Sequence, residues 1–266
     1  MKIVNIPFVK YQGTGNDFII IDQRETKHIQ KDETEKISFL CNRKFGIGAD
    51  GLMLIESSSS FSFEMVYFNA DGKESSMCGN GGRCIAHFAA QLGIFQGETT
   101  FLAIDGEHEV VVRGEEVSLK MCDVNELNFI EENVFTLFTG SPHYVKKSEQ
   151  IPGDVKEEGK KIRYSKPFFS EGINVNFLVF DKKNNVAEVA TYERGVEDET
   201  LSCGTGVTAT ALVCNRLTGC SSPVAIHTKG GNLKVSFLVK GNGYSDVWLT
   251  GPATFVFSGS IGYEEK

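Results

Sequence analysis

Sliding the sequence against itself by 125 residues brings two cysteine-centred segments into coincidence. Tyr67 falls on Tyr192, Glu74 on Glu199, Cys78 on Cys203, Gly79 on Gly204, Gly81 on Gly206, Ala86 on Ala211 and Leu92 on Leu217. Average composition supplies roughly one or two matches over such a window. A chain with this repeat is expected to hold two similar halves, each feeding a strand through a C-G-x-G turn into a helix. Its 266 residues are also enough for two packed units.

Periodicity fills in the halves. Apolar alternation predicts strands at 3–10, 18–22, 61–68, 99–104 and 108–112, and again near 134–138, 173–180, 186–192 and 233–240. A first helix is expected from Asp32, with Glu35 at capping-box spacing and Ile37, Leu40, Cys41 and Phe45 on one face. Two more are expected at about 79–93, with Ile85, Ala86, Ala89 and Leu92 facing a core, and at about 204–218. The charged stretch 146–161 reads as an exposed loop or short surface helix. The fold class is strand-rich α/β.

Charge and composition narrow the function. A formal net charge of -8 leaves no basic footprint, so nucleic acid and anionic membranes are poor partners and small molecules fit better. The N-terminus has no signal-peptide pattern, and no apolar run approaches the ~18 residues of a membrane span. Seven cysteines, an odd number without a signal peptide, argue for the reduced thiols of the cytoplasm rather than a disulfide framework. About five of them read as small buried hydrophobes. Cys78 and Cys203 need another explanation.

A cysteine immediately before a helix sits where unpaired N–H groups and the positive end of the dipole gather, which favours the thiolate. The glycines beside it let backbone N–H groups approach and bind a carboxylate. Two such turns offer two proton carriers. If a duplicated fold faces them across a cleft, one thiolate takes the α-proton of an amino acid while the opposing thiol protonates the other face. The carbanion-like charge that develops calls for preorganised N–H donors in a dry site.

At MCGNGGRC (Met77–Cys84) and YERGVEDETLSCGTG (Tyr192–Gly206) the sequence resembles diaminopimelate epimerase, a family independent of pyridoxal phosphate. Supporting segments are GTGNDFIIID from Gly13, RKFGIGADG from Arg43, YFNADG from Tyr67, SPHYV from Ser141, INVNF from Ile173 and TGPATFVF from Thr250. The resemblance implies interconversion of LL- and meso-diaminopimelate, with Cys203 as base and Cys78 as acid from LL to meso. It implies that Asn16, Asn69, Asn174 and Arg194 hold amino and carboxylate groups of the substrate. Backbone N–H groups of Gly79, Asn80, Gly204 and Thr205 would bind the reacting carboxylate, while His143 and Glu193 would tune the thiols and grip the α-amino group. No cofactor and no metal are implied. Also implied are a homodimer, two domains at 1–127 and 128–251 with 252–266 returning to the first, a barrel-like and mainly antiparallel sheet around a central helix in each, and an active site in the cleft between them. Family members commonly carry Asn where Ser141 stands and often Gln where Gly51 stands, so distal recognition is expected to differ here.

Rival readings exist. Another amino acid could be the substrate on the same fold, as in proline racemase and hydroxyproline epimerase, though Asn174 and Arg194 serve little purpose for a single carboxylate. GIGADG (Gly46–Gly51) matches the G-x-G-x-x-G fingerprint of an NAD-dependent oxidoreductase, but it follows a predicted helix rather than a strand. Cys78, Cys84 and His87 could form a metal site, yet they lack C-x-x-C spacing. A cysteine hydrolase would leave the second cysteine turn unexplained.

Overall fold

Chain order repeats itself twice in the architecture. A computed structural model describes residues 2–265. In the first half, β1 (Lys2–Gly13) turns into β2 (Asn16–Asp22), and helix α1 (Thr34–Cys41) crosses over to β3 (Gly51–Glu56), which lies parallel to β2. Strand β4 (Glu64–Asn69) runs antiparallel to β3 and carries the short β5 (Glu74–Ser75) on its other edge. Helix α2 (Gly79–Gln91) then leads to β6 (Glu98–Ala103), parallel to β4 at Glu64↔Leu102, and β6 forms a hairpin with β7 (Gly106–Arg113).

After β8 (Glu116–Lys120) and β9 (Asn128–Glu131) the same sequence of elements returns. Strands β10 (Val134–Phe138) and β11 (Pro142–Lys147) are antiparallel, and α3 (Val155–Arg163) crosses over to β12 (Asn174–Asp181), parallel to β11. Next come β13 (Val186–Glu193), the short β14 (Asp198–Thr200), and α4 (Gly204–Thr218). Strand β15 (Val224–Thr228) lies parallel to β13 and is followed by the antiparallel β16 (Gly231–Lys240) and β17 (Gly243–Pro252). The final strand, β18 (Thr254–Glu265), pairs antiparallel with β1 from Ile3↔Glu264 to Gln12↔Thr254.

Two compact units result: the chain up to Val117 together with Pro252 onward, and Ser118–Gly251. Residues 118–127, assigned to the first unit by the sequence reading, pack with the second. The Ser118 and Thr250 hydroxyls are 2.8 Å apart, Met121 N donates to Val247 O at 2.8 Å, and Val124 bridges Tyr244. In each unit the sheet has helices on both faces, the longer one central. Helix α2 packs on β1, β2, β3 and β7, and α4 on β10, β11, β12, β13, β15 and β16. Every α2 residue from Gly79 to His87 is buried, so small side chains let strands close in around it.

The opposite face carries the second core of each unit. Ile19, Ile21, Leu52, Leu54, Val66 and Phe68 pack under Ile37 and Leu40 of α1, and Val134, Val175, Phe177 and Tyr192 pack under Val155 of α3. Burial on both faces explains the apolar run GLMLIE of β3. Local expectations at the ends of α1 and α2 need correction. The N-cap of α1 is Glu33, not Asp32, and it makes no side-chain cap bond, because its carboxylate is taken by Gln30 N and Lys36 Nζ. Phe45 lies beyond α1 and is 75% exposed, and Leu92 follows α2 and is 38% exposed. The expected loop or short surface helix at 146–161 holds most of α3, a short helix with only Val155 and Gly159 buried, capped by the Asp154 side chain on Glu157 N at 2.9 Å. Among the described residues no helix is long and apolar enough to cross a membrane.

Candidate active site

Both repeated cysteines are N-caps of a central helix. Cys78 has extended backbone, φ -102° and ψ 146°, and its Sγ accepts from the Gly81 N–H at 3.2 Å. A sulfur in this place takes the role that Ser or Asp plays at ordinary helix starts, and the N–H it meets favours the thiolate. Gly81 keeps this turn uncrowded: a Cβ would stand 3.2 Å from Cys78 Sγ and 3.2 Å from Met53 Sδ, and both sulfurs would have to give way. Beneath the turn lies Arg83, fully buried. Its guanidinium donates to Gly79 O at 3.0 Å, Asn80 Oδ1 at 3.1 Å and Thr14 Oγ1 at 3.4 Å. Burial pushes its pKa down, opposed by the Cys84 and Cys78 thiols.

Asn80 links this turn to Asn16, whose Oδ1 accepts from Asn80 Nδ2 at 3.4 Å. Asn16 in turn donates to Asp50 Oδ2 at 2.6 Å. Asp50 belongs to an ion cluster: Arg43 holds Asp17 with two bonds, at 2.6 and 2.9 Å, and Asp50 with one at 2.7 Å, and Lys10 meets Asp17 at 2.8 Å. Burial opposes ionisation of Asp17, but the Arg43 and Lys10 bonds outweigh it and hold the carboxyl well below its ordinary range. Lys10 Nζ also donates to Gly48 O. The glycine-rich GIGADG is therefore a loop between α1 and β3, pinned by this cluster, and lacks the strand-to-helix context of a dinucleotide fingerprint. Gly51 admits no side chain, since a Cβ would lie 2.6 Å from the Tyr67 ring. Asn69 ends β4 exposed, opposite Gly51 in the ladder, and its N–H closes a turn on Lys73 O at 3.0 Å.

In the second unit Cys203 caps α4 with φ -120° and ψ 112° and is 8% exposed. Its Sγ is 3.4 Å from Thr205 Oγ1, which lies 2.9 Å from His143 Nε2. His143 is fully buried, and its Nδ1 is 3.0 Å from Asn176 Nδ2. Burial first, and the charge of Arg194 second, push its pKa down to about 3, so the ring is neutral at pH 7. Thr139 Oγ1 donates to Thr205 O at 2.8 Å and fixes the turn from the β10 side.

Asn174 starts β12 beside His143 in the parallel ladder. Its Nδ2 donates to Ser141 Oγ at 2.8 Å and Pro142 O at 3.2 Å, while its Oδ1 accepts from Arg194 N at 2.8 Å. The serine therefore ties directly to a residue predicted to bind substrate. Arg194 is exposed, with Nη1 on Glu171 O at 3.0 Å, and Glu193 sits half-buried at the end of β13. The first unit thus gathers Asn16, Cys78, Gly79 and Asn80. The second gathers His143, Asn174, Arg194, Cys203, Gly204 and Thr205.

The remaining cysteines behave differently. Cys41 and Cys84 are buried, and burial pushes both thiols up to about 12. Cys214 is also buried with its thiol pushed up. His87, named with Cys84 in the metal reading, lies with Nδ1 3.2 Å from the Tyr11 hydroxyl. Arg83, Asn176, Asp17 and Arg43 join the site only through the structure. For Arg83 and Asn176 a signal existed: each is a polar residue followed at once by a buried apolar run, Cys84–Ala86 and Phe177–Leu178.

The diaminopimelate epimerase family model matches residues 8–131 and 135–256. A diaminopimelate epimerase of Flavobacterium psychrophilum is 49% identical over 95% of this chain and 98% of its own length. That of Chlorobaculum tepidum is 42% identical over 94% and 98%. Among solved structures, a PhzF-family phenazine biosynthesis protein of Bacillus anthracis superposes with TM-score 0.72 at 12% identity, covering 98% of this chain and 99% of that one. A hydroxyproline epimerase from Agrobacterium vitis, with bound trans-4-OH-L-proline, gives 0.65 at 14% identity over 98% and 92%. These likenesses show a shared fold, while the full-length matches at high identity decide the family: the chain belongs to the diaminopimelate epimerases.

Proposed function

We propose that this isomerase interconverts LL- and meso-diaminopimelate without a cofactor, using Cys78 and Cys203 as its two proton-transfer groups. The observation that carries the reading is the repeated turn: two cysteines, each the N-cap of a buried central helix, in a chain of this family. From LL to meso, Cys203 acts as the base and Cys78 as the acid, and the roles reverse in the other direction. In this reading the two thiols address opposite faces of one α-carbon.

The α-proton is weakly acidic. Charge that develops on the substrate is met by the N–H groups of Gly79, Asn80, Gly204 and Thr205 at the two helix starts. Asn16, Asn69, Asn174 and Arg194 recognise the distal amino and carboxylate groups, the guanidinium serving as a two-pronged clamp. Glu193 grips the α-amino group, and His143 tunes the thiol. Ser141 supports Asn174 through their 2.8 Å bond. The chain is read as a cytoplasmic homodimer: Phe255, Val256 and Phe257 of β18 are 49%, 50% and 44% exposed and would be covered by a second copy. Light scattering checks that point, and a monomeric mass at micromolar concentration would refute it.

The decisive experiment follows α-proton exchange from LL-diaminopimelate in deuterated water. Wild type should wash deuterium into the α-position and produce the meso isomer. Cys78→Ala and Cys203→Ala should each slow epimerisation by about 10³-fold or more. Near-normal turnover in either variant removes that thiol from the reaction.

A further inference from the structure

Asn176 stands on β12 with its side chain fully buried. An amide in this setting must place its donor and acceptor correctly, because an unmade bond is costly. Its neighbours decide the orientation. Nδ2 lies 3.1 Å from Tyr144 O, a carbonyl that can only accept, while Oδ1 lies 2.9 Å from Thr191 Oγ1, which donates to it. The remaining Nδ2 hydrogen points to His143 Nδ1 at 3.0 Å. That nitrogen must therefore be the bare acceptor of the ring, and the ring proton sits on Nε2.

From there the direction of each bond follows. His143 Nε2–H donates to Thr205 Oγ1 at 2.9 Å, so the threonine hydroxyl accepts from behind and its own hydrogen is free to turn towards Cys203 Sγ at 3.4 Å. We infer that Asn176 is a positioning residue for the reaction: it fixes the His143 tautomer, which points the Thr205 hydroxyl hydrogen at Cys203 Sγ and stabilises its thiolate. The chain is locked in place by close packing, since a Cβ on Gly206 would stand 2.3 Å from Asn176 Oδ1 and 3.3 Å from His143 Cε1. A hydrogen bond that is made to the thiolate and weakened on protonation favours the charged form. The inference rests on Cys203 acting as the base.

Asn176→Asp tests it at constant size. A carboxylate cannot donate to Nδ1, so it draws the ring proton to that atom and leaves Nε2 to accept from Thr205, whose hydrogen then turns away from Cys203. The acidic limb of the pH profile of kcat/KM with LL-diaminopimelate should move to higher pH, with about tenfold loss at pH values well below its midpoint for a one-unit move. Thr205→Val should move the limb in the same direction, and Thr205→Ser should restore it. Superimposable profiles for wild type, Asn176→Asp and Thr205→Val would overturn the inference. If Asn176→Asp does not fold, the tautomer of His143 in wild type decides: nitrogen-15 NMR should show the proton on Nε2, and a proton on Nδ1 refutes the chain. Failure of the underlying reading looks different, because Cys203→Ala would then remain active.

Discussion

The two helix starts share a backbone and differ in chemistry. Each has an extended cysteine at the N-cap, a glycine three residues on, and a hydrogen bond to the carbonyl of the helix's first residue. In the first unit that bond comes from the buried guanidinium of Arg83; in the second, from the hydroxyl of Thr208 at 2.9 Å, the residue at the matching repeat position. A second exchange lies across the glycines. A Cβ on Gly81 would touch the ring of Phe18, and one on Gly206 the ring of His143, again at matching positions. So Cys78 has a buried cation and an apolar ring for company, and Cys203 a neutral imidazole with a hydroxyl between. The duplicated frame has kept the geometry that presents a thiol and has changed the means of adjusting it.

The contrast is open to direct attack. The largest effect is expected from His143→Phe, which gives the second unit the first unit's ring and takes from Thr205 and Asn176 their bonds to the imidazole. Epimerisation should fall about 100-fold, measured by the rate of meso product formation; a loss under threefold would mean the histidine only fills space. Arg83→Met should come next. It takes one donor each from Gly79 O, Asn80 Oδ1 and Thr14 Oγ1 and removes the cation, at a cost of about 2 to 3 kcal/mol. Urea denaturation gives the number, and Cys78 alkylation should slow while Cys203 alkylation holds.

Acid should then separate the units. His143 is neutral when folded, with its pKa pushed down to about 3, and takes a proton on unfolding below its ordinary value near 6.5. Its contribution is fully present above that value and is lost as pH falls towards 3. At pH 5 the group should account for about 2 kcal/mol of lost stability relative to pH 7. Stability measured at both pH values in wild type and His143→Gln tests this, and equal slopes would exclude it. The smallest effect belongs to Thr208→Val, which keeps the shape and removes one bond to Gly204 O. About 1 kcal/mol is expected, against the larger figure for Arg83→Met, and equal costs would mean that the guanidinium's charge adds nothing.

Much of this is legible in the sequence. The repeat announced two units and both cysteine turns, and α2 and α4 lie close to where small apolar residues on one helical stripe put them. Strand β3 escaped because Leu52, Met53, Leu54 and Ile55 are all buried, so the alternation that marks a half-exposed strand is absent. Strand β18 escaped for the opposite reason. Its Ser-Gly-Ser-Ile-Gly run reads as turn-forming, and the pairing with β1 holds it extended. Motif and spacing found the two cysteines that cap α2 and α4. They did not find Asn176, though it sits inside INVNF, because its meaning depends on His143, 33 residues away, and on a glycine at the start of another element.

The pairing of β1 with β18 sets an order of events during synthesis. Strand β18 is made after the whole of Ser118–Gly251, so the ribosome releases every element of the second unit before the first can close its sheet. The domain encoded earlier is completed later, and until then β1 presents an unpaired edge. Shortening the chain at Pro252 should therefore unravel the beginning of the protein and spare its middle.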